Sequence, residues 1–258
     1  MKKELINITL IVGIIAFIGA CKSDDDSSTT TATCAGMPVA TVSTCSDTVS
    51  GSITGLDNST MSGVYDPFHA LAVAGTAGID NTTGCVSSTS MLANMGGPTG
   101  TAGVTAQYAV TSSSSIAWKQ KYYSDSSCST ETASISFSFN DVTVGDNVTG
   151  LSTSISGKSS TYPSTATKVT WNNSCNIFKA STAAGVTYLD TLFSGTLSLD
   201  LGTEYKCANQ TGNKYLLMKV WDTSALGIGY DSILYWEDSD TAHPTDWSSD
   251  VNTWTKMP

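Results

Sequence analysis

Arginine is absent from this chain, and all twelve basic residues are lysines. Arg is the side chain that pairs bidentately with phosphates and base edges. With a formal net charge of −10, its absence argues against a nucleic-acid partner. The same charge is repelled by anionic lipid headgroups. Charge of either sign is scarce, at 13% of residues, so serine and threonine must carry solubility. A disordered, mucin-like chain has that composition too. Six Trp and 9% aromatic residues are too many for a chain that never folds. There are two histidines, His69 and His243, and no Gly-x-Ser-x-Gly, His-Glu-x-x-His or Cys-x-x-Cys. A Ser–His–Asp hydrolase, a zincin and a thioredoxin-like centre therefore lack their usual residues. No catalytic residue, metal or cofactor is expected.

What is present first is an export signal. Lys2 and Lys3 precede the apolar run from Leu10 to Ile18, and the small residues Gly19 and Ala20 lead into Cys21. That order is a secretory signal peptide over residues 1–20. The run is shorter than the ~20 residues a membrane-spanning helix needs. Ile18-Gly19-Ala20-Cys21 resembles the lipobox of bacterial lipoproteins. The resemblance implies that Cys21 becomes the acylated N-terminus, carrying diacylglyceryl and palmitate-type chains. It also places the protein in the bacterial cell envelope, anchored at the outer membrane. Residues 22–33 contain no large apolar side chain and read, with Cys21, as a disordered tether over 21–33.

Subtracting Cys21 leaves six cysteines: Cys34, Cys45, Cys85, Cys128, Cys175 and Cys207. An even number in an exported chain predicts disulfides. Six cysteines allow fifteen pairings, and spacing does not choose among them. Cys128 and Cys175 are expected to staple the sheet region.

Strand patterns dominate from residue 104. In Ala133–Phe139 polar and apolar residues alternate strictly, which predicts Ile135, Phe137 and Phe139 on one buried face and Ser136 on a tolerant one. Ile116–Tyr122 and Thr196–Leu201 repeat the pattern; Val169–Trp171, Tyr215–Trp221 and Ile233–Trp236 are denser runs. Turn residues separate them at Asp125–Ser127, Val144–Asn147, Thr211–Asn213 and Asp238–Asp240. Residues 34–103 form a Gly/Ser/Thr-rich N-terminal part. Within it Pro67–Ala74 predicts one short helix, capped by Asp66 and stopped by Gly75. The whole reads as an all-β, antiparallel domain, either a sandwich or a barrel.

The middle of the chain narrows this choice. Lys121–Thr130, Thr211–Leu216, Ile233–Asp240 and Trp254–Lys256 together resemble the strand and turn motifs of bacterial lipocalin-like lipoproteins. The resemblance covers about residues 104–258, and no Gly-x-Trp opening is visible. It implies an eight-stranded up-and-down barrel, which either packs its interior with side chains or holds one small ligand.

Three carboxylate arrangements were weighed for chemistry. Trp221-Asp222-Thr223 and Leu189-Asp190-Thr191 echo half of an aspartic-protease turn but lack its glycine, so a turn role is expected. Glu237, Asp238, Asp240, Asp246 and Asp250 offer calcium-type ligands without EF-hand spacing, and read as a solvated acidic loop. Among the tryptophans, Trp118 and Trp221 are the candidates to face a barrel interior. The expected function is non-enzymatic. It is either binding of a small apolar ligand inside the barrel, or presentation of a surface to a host or envelope protein from a filled barrel. A hydrolase is the third reading.

Overall fold

The computed structural model describes residues 34–258, apart from 38, 43, 44, 159, 210 and 211. The expected signal peptide, the expected lipidation site Cys21 and the expected tether lie outside the described residues.

Eight antiparallel strands close into an up-and-down barrel. They are β3 (Val64–Asp66), β4 (Gly103–Ser112), β5 (Ser115–Tyr123), β6 (Glu131–Thr149), β7 (Thr165–Ala180), β9 (Asn213–Asp222), β10 (Ser232–Ser239) and β11 (Asn252–Lys256). Each pairs with the next in this order. β11 returns to β3, through Thr255↔Asp66 and Lys256↔Tyr65, and closes the ring. The eighth stave is thus supplied by β3, a strand upstream of residue 104, in the Gly/Ser/Thr-rich part.

One stave is built in two pieces. β8 (Glu204–Ala208) pairs with Lys179–Cys175 of β7, and β9 then pairs with Asn172–Thr167 of the same strand. Both run antiparallel to β7, so β8 continues into β9 along a single edge.

The alternation in the sequence becomes the inside and outside of the wall. Tyr108, Trp118, Phe137, Met218, Leu234 and Trp254 share one core. Trp118 stacks on Phe137 at 5.4 Å, Phe139 on Trp171 at 4.8 Å, and Tyr108 meets Trp254 edge-on at 4.6 Å. Ile135 and Phe137 are buried as expected, and Phe139 is half-buried against the same core. Ser136 is a correction: it too is buried, and donates to Asp47 Oδ2 at 2.8 Å. The segment that carries Cys45 and Asp47 lies over the outer face, so neither face of β6 is free there.

Two other expectations change. Thr196–Leu201 keeps its alternation, with Leu197 and Leu199 buried, but forms no strand. Ser198 N donates to Ala35 O, and no ladder partner runs beside it. Val144–Asn147 is not a chain reversal. It is a register shift inside β6 against β7, a bulge that bends a nineteen-residue strand.

Among the described residues α-helix is limited to three short pieces: α1 (His69–Val73), α2 (Thr89–Met95) and α3 (Ala183–Leu192). α1 sits where the sequence predicts it. Its N-cap is Phe68 rather than Asp66, yet Asp66 Oδ1 accepts from Phe68 N at 2.6 Å. Gly75, at φ +79°, follows the last turn. α2 and α3 have no strong apolar period and were not legible; α3 starts where Thr182 Oγ1 accepts from Gly185 N.

Disulfides join Cys34 to Cys207, Cys45 to Cys175 and Cys85 to Cys128. Cys128 and Cys175 are not joined to each other: each ties its strand region to a cysteine of the N-terminal part, Cys85 and Cys45.

Candidate functional site

A lipocalin-type binding site would be the barrel interior, reached through an open mouth. Both mouths are covered here. At one, β1 (Ser52–Leu56) and β2 (Ser59–Ser62) form a separate two-stranded hairpin. Ile53, Leu56 and Met61 of this hairpin are fully buried in the barrel core. Its turn residues Asp57 and Asn58 take left-handed φ of 50° and 64°, the geometry of a tight hairpin turn. Asp57 is bound there by Lys219 of β9 and Thr165 of β7. The Lys219 contact holds the Asp57 carboxyl below its ordinary range.

The opposite mouth is covered by α2, α3 and the chain after α3. Gln120 Nε2 donates to Met95 O at 3.4 Å, and the Tyr122 and Tyr188 hydroxyls meet at 3.0 Å. Phe193 packs edge-on against Phe178 at 4.7 Å, beside buried Leu189 and Leu197.

Between the plugs, Met61, Tyr108, Trp171, Met218 and Trp236 line a gap too narrow to admit a water molecule. Small-molecule pockets run from ~300 Å³ upward. Among the described residues, this part of the interior is filled by side chains. Trp236 Nε1 is nonetheless left without a hydrogen-bond partner in this core.

The two tryptophan candidates separate. Trp118 faces inward, buried on Phe137. Trp221 is a correction: it lies on the outer face, tilted against Tyr235 at 6.2 Å, and remains partly exposed. Its odd position in β9 puts it opposite in phase to inward Met218 and Val220. Trp171, Trp236 and Trp254 are the other inward rings, while Trp247 anchors an outer cluster by donating to Pro163 O at 2.7 Å.

The carboxylates weighed for chemistry are engaged in local structure. Asp222 accepts from Ser224 N and Oγ at 2.9 and 2.6 Å, and Asp190 accepts from Leu197 N at 2.9 Å. Asp246 ties Ser152 N at 2.7 Å, Glu237 holds Ser248, and Lys214 pairs with Asp238 and Asp240. His243 lies between Leu216 O, at 3.0 Å, and Thr170 Oγ1, at 3.4 Å. Among the described residues no three His, Cys, Asp or Glu side chains converge as metal ligands.

Asp66 is the one carboxylate that sequence reasoning undervalued. It is wholly buried on the outer side of β3, and its Oδ2 makes no hydrogen bond of ordinary geometry. A Cβ on Gly84 would come within 2.2 Å of that oxygen, so only glycine fits there. Burial pushes the Asp66 carboxyl up to about 7, against the pull of the Phe68 and His69 amides and the Gln107 side chain. The folded chain therefore keeps a proton that the unfolded chain releases near pH 4. Stability from this group is full below that pH and is lost as pH rises towards 7. Asp66→Asn is expected to flatten this part of the profile. Urea midpoints at pH 4.5, 6 and 8 should fall more steeply for the parent than for the variant. Parallel profiles would show that the Asp66 carboxyl titrates alike in both states.

No family model matches the chain, and a search of curated proteins finds no match. The functional reading therefore rests on the barrel and its surface.

Proposed function

We propose that this chain is a lipid-anchored envelope lipoprotein, non-enzymatic, whose filled barrel is a rigid support for presenting its outer surface to a protein partner. The observation that carries this reading is the packed, doubly capped interior. A carrier needs space already formed; an interaction protein needs a rigid wall and loops. The lipobox-like Ile18–Cys21 supports the anchor, and the acidic, arginine-free composition leaves the bilayer contact to the acyl chains alone.

A second reading is favoured by one feature. The β1–β2 hairpin is bonded to no barrel strand as a ladder and is flanked by Gly51 and Gly63, both at positive φ. Moving it aside would expose Met218, Trp171 and the unpartnered Trp236 indole to an apolar ligand with one acceptor group.

One preparation tests both parts. Cys21→Ser is expected to move the protein from the membrane to the soluble fraction; unchanged partitioning would refute the anchor. The same soluble variant, titrated with fatty acids, is expected to show no saturable change in tryptophan fluorescence. A saturable change at low micromolar ligand would replace the interaction reading by the carrier reading.

A further inference from the structure

The exposed large apolar side chains of the described residues are five, and three fall within one short stretch: Trp221 at 39%, Leu226 at 56% and Ile228 at 40%. They surround the β9–β10 connection, residues 223–231. No charged residue occurs from Thr223 to Tyr230. Single exposed apolar residues are ordinary, but a cluster of this kind on a protein with so much Ser and Thr is not.

The cluster is held in place. Thr223 N donates to Asp231 O at 2.9 Å and Thr223 Oγ1 to Tyr230 O at 2.7 Å, closing the neck of the loop. A 3₁₀ turn, Ser224–Leu226, follows, and Gly227 takes a left-handed φ of 63°. Gly229 lacks the Cβ that would lie 2.5 Å from Val73 Cγ1, so α1 packs directly behind the loop. His69 of α1 meets the Tyr230 ring at 6.4 Å. A knob fixed beforehand in one shape loses less entropy on docking.

Its position and charge indicate the occupant. Cys34, where the tether enters the fold, is bonded to Cys207 at the level of Asn176 on β7. β9 runs from there past the opposite end of β7 to the knob. The register sets Cys207 opposite Asn176 and Met218 opposite Thr167, so Asp222 lies ~40 Å further along the barrel wall at the usual rise per residue. The knob thus stands at the end of the barrel away from the tether. Asp222 and Asp231 bracket it, on a chain of net charge −10. Anionic lipid is disfavoured, and so is a second acidic copy.

We infer that the Trp221–Leu226–Ile228 knob docks into an apolar cleft rimmed by Lys or Arg on a different protein of the envelope. The inference rests on the interaction-protein reading and names its surface. So few side chains give a small contact, of the transient class.

The test is site-specific photocrosslinking of the full-length chain in intact envelopes. A photoreactive residue replaces Ile228, or, as separate controls, Val49 or Leu201, the other two exposed apolar positions. The 228 probe is expected to yield one adduct with a different protein, mapped by mass spectrometry to apolar residues beside Lys or Arg. Leu226→Asp should reduce that adduct at least tenfold. Asp222→Lys with Asp231→Lys should reduce it several-fold. Leu226 and Asp231 are exposed loop positions and Asp222 is the exposed last residue of β9, where it accepts from Ser224; unaltered near-ultraviolet circular dichroism checks that both variants keep the fold. Adducts only with lipid, or only with other copies of the chain, would overturn the inference. Protein adducts from 49 or 201 but not from 228 would overturn the knob and leave the interaction reading standing. No protein adduct from any of the three would overturn both.

Discussion

Phe137→Asp is expected to leave little folded protein. Phe137 is buried in the barrel wall and its ring stacks on Trp118. Removing a phenyl ring from such a site costs ~3–5 kcal/mol through lost burial and the cavity left behind. A carboxylate put there is also desolvated, with no cation on the inner face beside it, which adds several kcal/mol more. Domains are stable by only ~5–15 kcal/mol. Expression should yield aggregate, or a soluble form without near-ultraviolet circular dichroism. Ser136→Asp, one residue along, should cost less but not be silent. Ser136 donates to Asp47, which is paired with Lys119 at 2.7 Å, so a new carboxylate would compete for one lysine. A loss of ~1–2 kcal/mol is expected, the scale of one disrupted charge-assisted hydrogen bond. A Phe137→Asp variant melting within a few degrees of the parent would refute this placement of β6.

Replacing Cys34 and Cys207 together by serine should give the second large effect. The bridge joins residues 173 apart in sequence. Cross-links over long loops remove much entropy from the unfolded chain, and losing a native one typically costs ~2–5 kcal/mol. This bridge also fixes the Cys34–Ala35 segment against residues 196–198, where Ala35 O accepts from Ser198 N, and so helps cover the mouth beneath α3. For a domain of this size each kcal/mol shifts Tm by ~2–4 °C. A fall of roughly 5–20 °C by calorimetry is therefore expected under oxidising conditions, with no change when both proteins are compared fully reduced. Equal Tm values under oxidising conditions would show that the bridge contributes nothing.

Much of the fold was legible before any coordinates. Strict alternation in Ile116–Tyr122 and Ala133–Phe139 named the strands and their inner faces, because a pleated chain turns successive side chains to opposite sides. Asp125, which accepts from Ser127, Ser129 and Thr130, marked the β5–β6 turn by residue type alone. Thr196–Leu201 misled for the same reason: alternation reports which side is buried, not whether a neighbouring edge exists to bond. Trp221 misled because composition within a run does not report phase; its neighbour Val220 points inward and Trp221 does not. The filling of the barrel was beyond reach. It depends on a hairpin at residues 52–62 folding back over strands far along the chain, and on α3 covering the other mouth. Both are long-range placements, selected by the apolar surface they remove from water.

The sequence by itself determined an all-β domain, several of its turns and its cysteine parity. Those are local properties: period two along a strand, the backbone freedom of turn residues, and a count of one residue type. Tertiary structure decided the ring closure of β3 on β11, which cysteines met, and which mouth each plug covers. It also decided that Asp66 is buried with one oxygen making no hydrogen bond of ordinary geometry and that Leu226 and Ile228 stay outside. Each of these depends on which distant surfaces meet, and a residue's own neighbours in the chain carry no record of that.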